Sequence, residues 1–197
     1  MILPAYAGTL KPSYGAGGGS SSGIMLNMRF NNDNLADTTG RHTCSMQGRY
    51  TTAIVYEGSH SLEYLVTGGF TVTDSSNDFD FGAGNFNITF AVFVGQPFGD
   101  YGHIAGGNYS FGIHCVGGGV NYPAIWLNGS ALLVSSSYLP LNSWAVLTYK
   151  RVGTALSIEL DGNVIASMTS SANFSNPNSG FVSSSVGYLD SLTITKG

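Results

Sequence analysis

Charge is what this 197-residue chain has least of: Asp, Glu, Lys and Arg make up 9% of it, against roughly 25% in an ordinary soluble domain. Long solvent-exposed helices draw on Glu, Lys and Arg, so almost no helix is expected. Cations are rarer still. The seven (Lys11, Arg29, Arg41, Arg49, Lys150, Arg151 and Lys196) are scattered, and the net charge is −4. A surface that tracks phosphates needs clustered cations, so no nucleic-acid partner is expected. Apolar runs stop well short of the roughly 18 residues that span a bilayer, which excludes a helical membrane span from the reading. The opening MILPAYAGTLKPSYG has neither a charged n-region nor an apolar h-region; any export is expected by a route other than a signal peptide, such as release with a lysing cell. Two cysteines, Cys44 and Cys115, lack metal-type spacing; they read as two buried free thiols, with a single disulfide as the alternative.

What fills the sequence is apolar and aromatic: 43% hydrophobic and 12% aromatic residues, with 28 glycines. Polarity comes from Ser, Thr, Asn and Gly, a balance that suits sheets with hydroxyl- and amide-rich outer faces. At this length one domain can bury about 70% of its unfolded surface. Residues 1–23 stand apart. Pro4 and Pro12 punctuate an extended segment, and GAGGGSSSG (Gly15 to Gly23) follows as a tether. The large side chains of this arm, Ile2, Leu3, Tyr6, Leu10 and Tyr14, suit anchoring to another subunit, a disordered terminus being the alternative.

From residue 24 to 197 short strands follow one another. They are expected near 24–30, 43–47, 51–56, 62–66, 69–73, 85–94, 103–106, 109–116, 124–128, 131–135, 144–151, 155–160, 163–168, 181–186 and 188–195. In NFNITFAVFV, Phe86, Ile88, Phe90, Val92 and Val94 share one face, which predicts core. In NSWAVLTYKRVGTALSIELDGNVIASM (Asn142 to Met168) the first strand is apolar on both faces, Trp144, Val146 and Thr148 against Ala145, Leu147 and Tyr149. That places it in the middle of a sheet. Asp161-Gly162 is a hairpin turn. The chain therefore reads as an all-β, antiparallel two-sheet jelly-roll sandwich.

That stretch resembles the W-x-h-x-x-T…L-x-h-x-h-D-G-x-x-h pattern, h being apolar, of concanavalin A-like, laminin-G-like jelly rolls. MLNMRFNNDNLADTTGRH is similar to their opening strand and loop, SSNDFDFGAGNFNITFAVFV to their D-F-G-x-G-[DN]-F-x-I-x-F segment, and GYLDSLTITKG to their closing strand. The arrangement most resembles the domains of bacteriophage structural proteins: tail fibres, spikes or capsid decorations. The resemblance implies a structural Ca2+ held by Asn31, Asp33 and Asp190 with backbone carbonyls. It also implies a virion exterior location, other virion proteins as partners of the arm, and a symmetric homo-oligomer.

Catalysis is weighed on Glu159-Leu160-Asp161. Retaining glucanases on this kind of sandwich resemble E-h-D-x-x-E, because hydrolysis needs two carboxyl groups about 5–5.5 Å apart. Here Gly162, Asn163 and Val164 follow, so the second Glu is missing and Asp161 is claimed by the turn. Gly19 to Gly23 matches G-x-S-x-G but lies in the tether. His42, His60, His103 and His114 have no metal-site spacing and are expected at the surface or hydrogen-bonded in sheets. Sugar contact needs aromatic platforms beside amide or carboxylate groups, which points to Asp100, Tyr101, Asn108, Tyr109, Asn121, Tyr122 and Trp126. A subunit interface is the alternative for the aromatics, and plain core for Trp126. The expected function is a non-enzymatic virion surface protein, adhering to host-surface glycans or decorating a capsid. The alternative is a secreted glucan-binding module or a glucanase-related enzyme.

Overall fold

The computed structural model describes residues 23–31, 35–64, 69–74, 76–95, 101–116, 120–177, 180–183 and 187–197. The arm, Gly23 apart, lies outside them. Fifteen strands follow in order among the described residues: β1 (Ile24–Met28), β2 (Thr43–Met46), β3 (Arg49–Thr51), β4 (Ser61–Tyr64), β5 (Phe70–Thr73), β6 (Phe86–Phe93), β7 (Tyr101–Gly106) and β8 (Tyr109–Val116), then β9 (Val120–Leu127), β10 (Ser130–Val134), β11 (Trp144–Val152), β12 (Ala155–Leu160), β13 (Asn163–Thr169), β14 (Phe181–Ser183) and β15 (Gly187–Lys196). One sheet runs β13-β12-β11-β6-β15-β4-β3, with β1 also on β15; the other runs β10-β9-β8-β7-β14-β5-β2. All the pairings between these strands are antiparallel, the jelly-roll sandwich that the alternation predicts.

The predicted faces hold. Phe86, Ile88, Phe90, Val92 and Val94 are all buried, as are Ala145, Leu147 and Tyr149 opposite them in β11. β11 lies between β12 and β6, in the middle of its sheet as predicted. Facing these across the sandwich are Tyr109, Phe111 and Ile113 of β8 and Ile125 of β9, joined by Phe79, Phe81, Phe174 and Phe181 from loops and β14. Two hydroxyls tie the sheets together: Tyr149 donates to the Gly112 carbonyl at 2.6 Å, and Tyr64 shares a 2.5 Å hydrogen bond with Ser183 Oγ. Burial pushes both phenols well above their ordinary range, so both stay neutral. The hairpin turn is formed as expected, with Asp161 at φ 49° and Gly162 at φ 80°, the pair of positive angles of a type I′ turn.

The third strand differs from expectation. β-branched TTAIV suggested 51–56, but pairing stops at Thr51. Local side-chain bonds win there: Thr51 Oγ1 accepts from the Ala53 N–H at 3.1 Å, and Ser61 Oγ donates to the Ile54 carbonyl. The cysteine alternatives also separate. β2, with Cys44, and β8, with Cys115, have three strands between them, roughly 19 Å at about 4.8 Å per strand. A disulfide reaches only about 7 Å between Cα atoms. Cys44 is a free, half-buried thiol.

Candidate functional site

β8 carries the sugar-contact candidates to opposite ends of the sandwich. At one end, Asn108 and Tyr109 are absorbed into the structure. The Asn108 side chain donates to the Asn173 carbonyl at 2.9 Å and accepts from the Ser175 N–H at 2.8 Å. Tyr109 is 4% exposed, its hydroxyl bonded to the Phe79 carbonyl at 2.7 Å. Tyr109 offers a ligand no free face, which corrects the sequence reading: Y-S-F alternation on β8 turns it inward with Phe111. Trp126 is half-buried, edge-on to His114 at 6.0 Å between ring centroids. Asp100 and the side chain of Tyr101 lie outside the described residues, although the Tyr101 backbone pairs with Ile113, at the other end.

At that other end are Asn121 and Tyr122, and the chain builds a cleft around them. β10 leaves β9 after the Val134–Ala124 pair. The next residue of β9 is Pro123, which has no N–H to continue the ladder. The Ser135 N–H still reaches the Pro123 carbonyl at 2.9 Å, and the Leu139 N–H reaches the Asn121 carbonyl at 2.8 Å. Residues 135–142 thus fold over the end of the sheet, with Ser135 Oγ accepting from the Ser137 N–H at 2.9 Å. The Asn142 N–H then bonds the Val94 carbonyl at 2.8 Å, and Leu139 drives its side chain into the core. Between this strap and β9 lies a cleft of about 420 Å³, lined by Val120, Asn121, Tyr122, Tyr138, Leu139 and Leu141.

Its lining combines two properties. Tyr138 is 63% exposed and Leu141 42%, an exposure of large apolar side chains held in place by backbone bonds on both sides. Asn121 is 3% exposed, and its amide Oδ1 finds no hydrogen-bond partner among the described residues. A buried amide oxygen without a partner costs about 1–3 kcal/mol. Among the described residues the lining carries no ionised group. Tyr138 and Leu141 were not among the expected site residues; the signal for them is SSSYLPLNS, large apolar side chains set in turn chemistry between two strands.

A second aromatic group lies on the outer face of the other sheet, where Tyr188, Phe93 and Trp144 are register neighbours on β15, β6 and β11. Phe93 meets Trp144 at 65° and Tyr188 at 76°, so these rings pack edge to face on one another. They cover the sheet more than they offer a platform.

The calcium candidates are placed as follows. Asp33 lies outside the described residues. Asn31 Oδ1 accepts from the Ser59 N–H at 3.0 Å; Asp190 accepts from Glu57 N–H at 3.1 Å and Ser191 N–H at 2.8 Å. Both residues anchor the loop that replaced the expected strand. Asp190 is 1% exposed, and desolvation raises its pKa from 3.8 to about 6 despite those bonds. A folded-state value above the unfolded one means that the folded chain holds this proton more tightly. Stability from this group is therefore full below about pH 4 and is lost as pH rises through 6, by about 3 kcal/mol. Asp190→Asn removes the dependence: between pH 4 and 7, urea unfolding is expected to show the variant gaining on the wild type by up to that amount.

The two acids weighed for catalysis do not share a cavity wall. Asp161 Oδ1 accepts from the Val146 N–H at 2.8 Å, closing the hairpin onto β11, while Glu159 faces Lys150 at 3.9 Å on the outer sheet surface. His103 is buried in β7 against Phe90; desolvation lowers its pKa to about 3, so it is a neutral core ring.

No family model and no curated protein matches the chain. Solved structures share its fold. Domain 4 of AbnA, a GH43 extracellular arabinanase from Geobacillus stearothermophilus, solved in complex with arabinotriose, has a TM-score of 0.67 at 15% identity, over 88% of this chain and 92% of that domain. The binding domain of Paraclostridial Mosquitocidal Protein 1 gives 0.69 at 14%, over 88% of this chain and 48% of that one. The binding domain of Botulinum Neurotoxin DC, in complex with SialylT, gives 0.66 at 14%, over 87% and 47%. This chain thus spans nearly all of the arabinanase domain and about half of either toxin binding domain. At such identities the shared property is the architecture: this chain is a β-sandwich of the jelly-roll type.

Proposed function

We propose that the chain is a carbohydrate-binding β-sandwich without catalytic activity, and that its ligand is a neutral sugar held in the cleft between β9 and residues 135–142. The observation that carries this reading is that Asn121, Tyr122 and Tyr138 line one strapped cleft. Tyrosine rings cover the apolar C–H faces of a sugar, and the amide oxygen accepts one of its hydroxyls. The lining formed by the described residues is apolar and amide-bearing, which favours uncharged sugars. The fold neighbours support the sugar class, since the arabinanase domain was solved with arabinotriose and a toxin binding domain with SialylT. The non-enzymatic part rests on Glu159 and Asp161, whose positions serve the sheet.

In this proposal residues 1–23 attach the domain to other proteins of a bacteriophage particle, with the cleft displayed on the exterior to host-surface glycans and several copies around a symmetry axis. The support is the resemblance of the sequence and the composition of the arm. Immunogold labelling of intact particles tests the location; a protein found only free of particles favours a secreted glucan-binding module. Glycan-array screening followed by calorimetry tests the cleft. Tyr138→Ala is expected to weaken binding roughly 10- to 100-fold, the loss of one buried aromatic contact, and Tyr138→Phe to retain most of it. Binding that survives Tyr138→Ala but fails in Trp144→Ala would move the site to the other sheet and overturn this assignment. Release of reducing ends from the bound polysaccharide would overturn the non-enzymatic part.

A further inference from the structure

The register of β2 against β5 pairs Thr43 with Thr73, so the next residues outward, His42 and Asp74, face each other across the end of the sheet. Asp78 comes back onto them from the loop after β5. The three side chains are 1%, 0% and 8% exposed, and one ligand atom from each lies within 4.8 Å of the other two. The imidazole orientation is fixed by a neighbour. Nε2 lies 3.0 Å from the Met25 carbonyl and 3.2 Å from Asp78 Oδ2, and because the carbonyl can only accept, Nε2 carries the proton. In the neutral ring Nδ1 is then a bare lone pair. It is buried, has no hydrogen-bond partner among the described residues, and faces Asp74 Oδ1 at 3.8 Å.

An unpartnered nitrogen lone pair facing a carboxylate oxygen in a buried place suits a cation between them. Charge counting agrees. Asp74 and Asp78 bring two negative charges, and among the described residues only Arg41 supplies a permanent cation in hydrogen-bond contact, through its bidentate pair with Asp78 at 2.7 Å. One negative charge is left over in a desolvated cluster. The carboxylates are also already aimed. Asp74 Oδ1 accepts from the Ser76 N–H at 2.8 Å and Oδ2 from the Phe79 N–H at 3.3 Å, while Arg41 fixes the plane of Asp78. Such outer hydrogen bonds are what hold metal ligands in orientation.

We infer that His42, Asp74 and Asp78 form a binding site for a divalent first-row transition ion of the zinc class, bridging β2, β5 and the loop before β6. A nitrogen ligand beside two carboxylates suits Zn2+ better than Ca2+ or Mg2+, which take oxygen alone. The site is separate from the cleft, and its role is structural: it ties the Arg41–His42 segment to the 74–80 loop. Nothing in the spacing of the sequence announces it, because the ligands meet through strand register.

The test uses the full chain stripped with EDTA and then titrated with Zn2+, Co2+ and Ca2+. The expected result is one Zn2+ per chain, a Tm rise on the order of 5–10 °C at about 100-fold excess over Kd, and no response to Ca2+ at the same concentration. Co2+ should develop ligand-field absorption, and the His42 Nδ1 resonance should shift in 15N NMR of the wild type, a readout that needs no variant. His42→Gln and Asp74→Asn should each weaken Zn2+ by more than the roughly 10- to 100-fold that loss of an outer hydrogen-bond partner costs, with Asn121→Ala unchanged. An absence of 1:1 binding overturns the inference. So does Zn2+ binding that persists in His42→Gln and vanishes in a His60→Gln/His114→Gln variant, or an NMR spectrum in which both nitrogens of His42 are protonated and insensitive to metal.

Discussion

Arg151→Met is expected to lower the unfolding free energy by about 3–5 kcal/mol, seen as a lower urea midpoint with an unchanged slope. Arg151 follows Ala145, Leu147 and Tyr149 on the inward face of β11, and it is 2% exposed. Its guanidinium is used as a three-way donor: Nε to the Gly153 carbonyl at 2.9 Å, one terminal nitrogen to Ala172, the other to Ser170 at 3.1 Å. The plane also lies over the Phe174 ring, 5.8 Å from its centroid. Methionine replaces the volume and none of the donors. Three carbonyls lose their partners, and the 170–176 segment loses its hold on this sheet, while Asn108 still grips it from the other. Arg151→Lys should recover only part of the loss, since an ammonium on a flexible stem cannot serve three carbonyls in one plane. A change below about 1 kcal/mol in Arg151→Met would show that water replaces the guanidinium without penalty. Because this clamp and the cleft are at opposite ends of the sandwich, sugar affinity measured well below the Tm should remain at the wild-type value.

Gly187→Ala is expected to cost a similar amount, about 3–5 kcal/mol, by a different mechanism. Gly187 opens β15 with φ at +107°, and a Cβ there would stand 2.0 Å from the Phe93 carbonyl oxygen. Strain and collision add, and the obstacle is backbone in the central strand β6, which cannot step aside. Gly162→Ala provides the contrast: φ is +80° at the tip of the β12–β13 hairpin, but nothing lies within 4 Å of the added carbon. Only the conformational cost of roughly 1 kcal/mol remains. Thermal unfolding of the two variants side by side separates the contributions; equal losses would mean that the collision at Gly187 is absorbed.

β15 also shows why some of the fold was legible and some was not. Its alternation, like that of NFNITFAVFV, is carried by the side chains themselves, so the strand and its buried face could be read directly. What no alternation reveals is that β15 changes partner along its length, pairing with β4 through Leu189 and with β1 from Leu192. The irregularity between Asp190 and Thr193, with Ser191 at φ 52°, makes that change possible. The family resemblance offered Asp190 as a metal ligand; in the fold its oxygens accept from the N–H groups of Glu57 and Ser191, from a loop 133 residues away and from the adjacent residue. Tyr109 looked like a platform because tyrosine in a glycine-rich stretch is usually exposed, and it became core because Phe111 two residues on fixes which face of β8 points inward.

The sequence by itself determined the class of structure: scarce charge ruled out long exposed helices, period-two alternation specified strands, and Asp161-Gly162 specified a hairpin. Those are local properties, written in neighbouring residues and their backbone preferences. The cleft and the His42 cluster were decided only by tertiary structure. Asn121 meets Tyr138 because Pro123 ends a ladder and sends the chain back over it; His42 meets Asp74 because two strands 27 residues apart pair in one register, Thr43 against Thr73. A site made of residues distant in sequence exists only once the pairings that join them are fixed, and each pairing is chosen by the burial of the whole sheet.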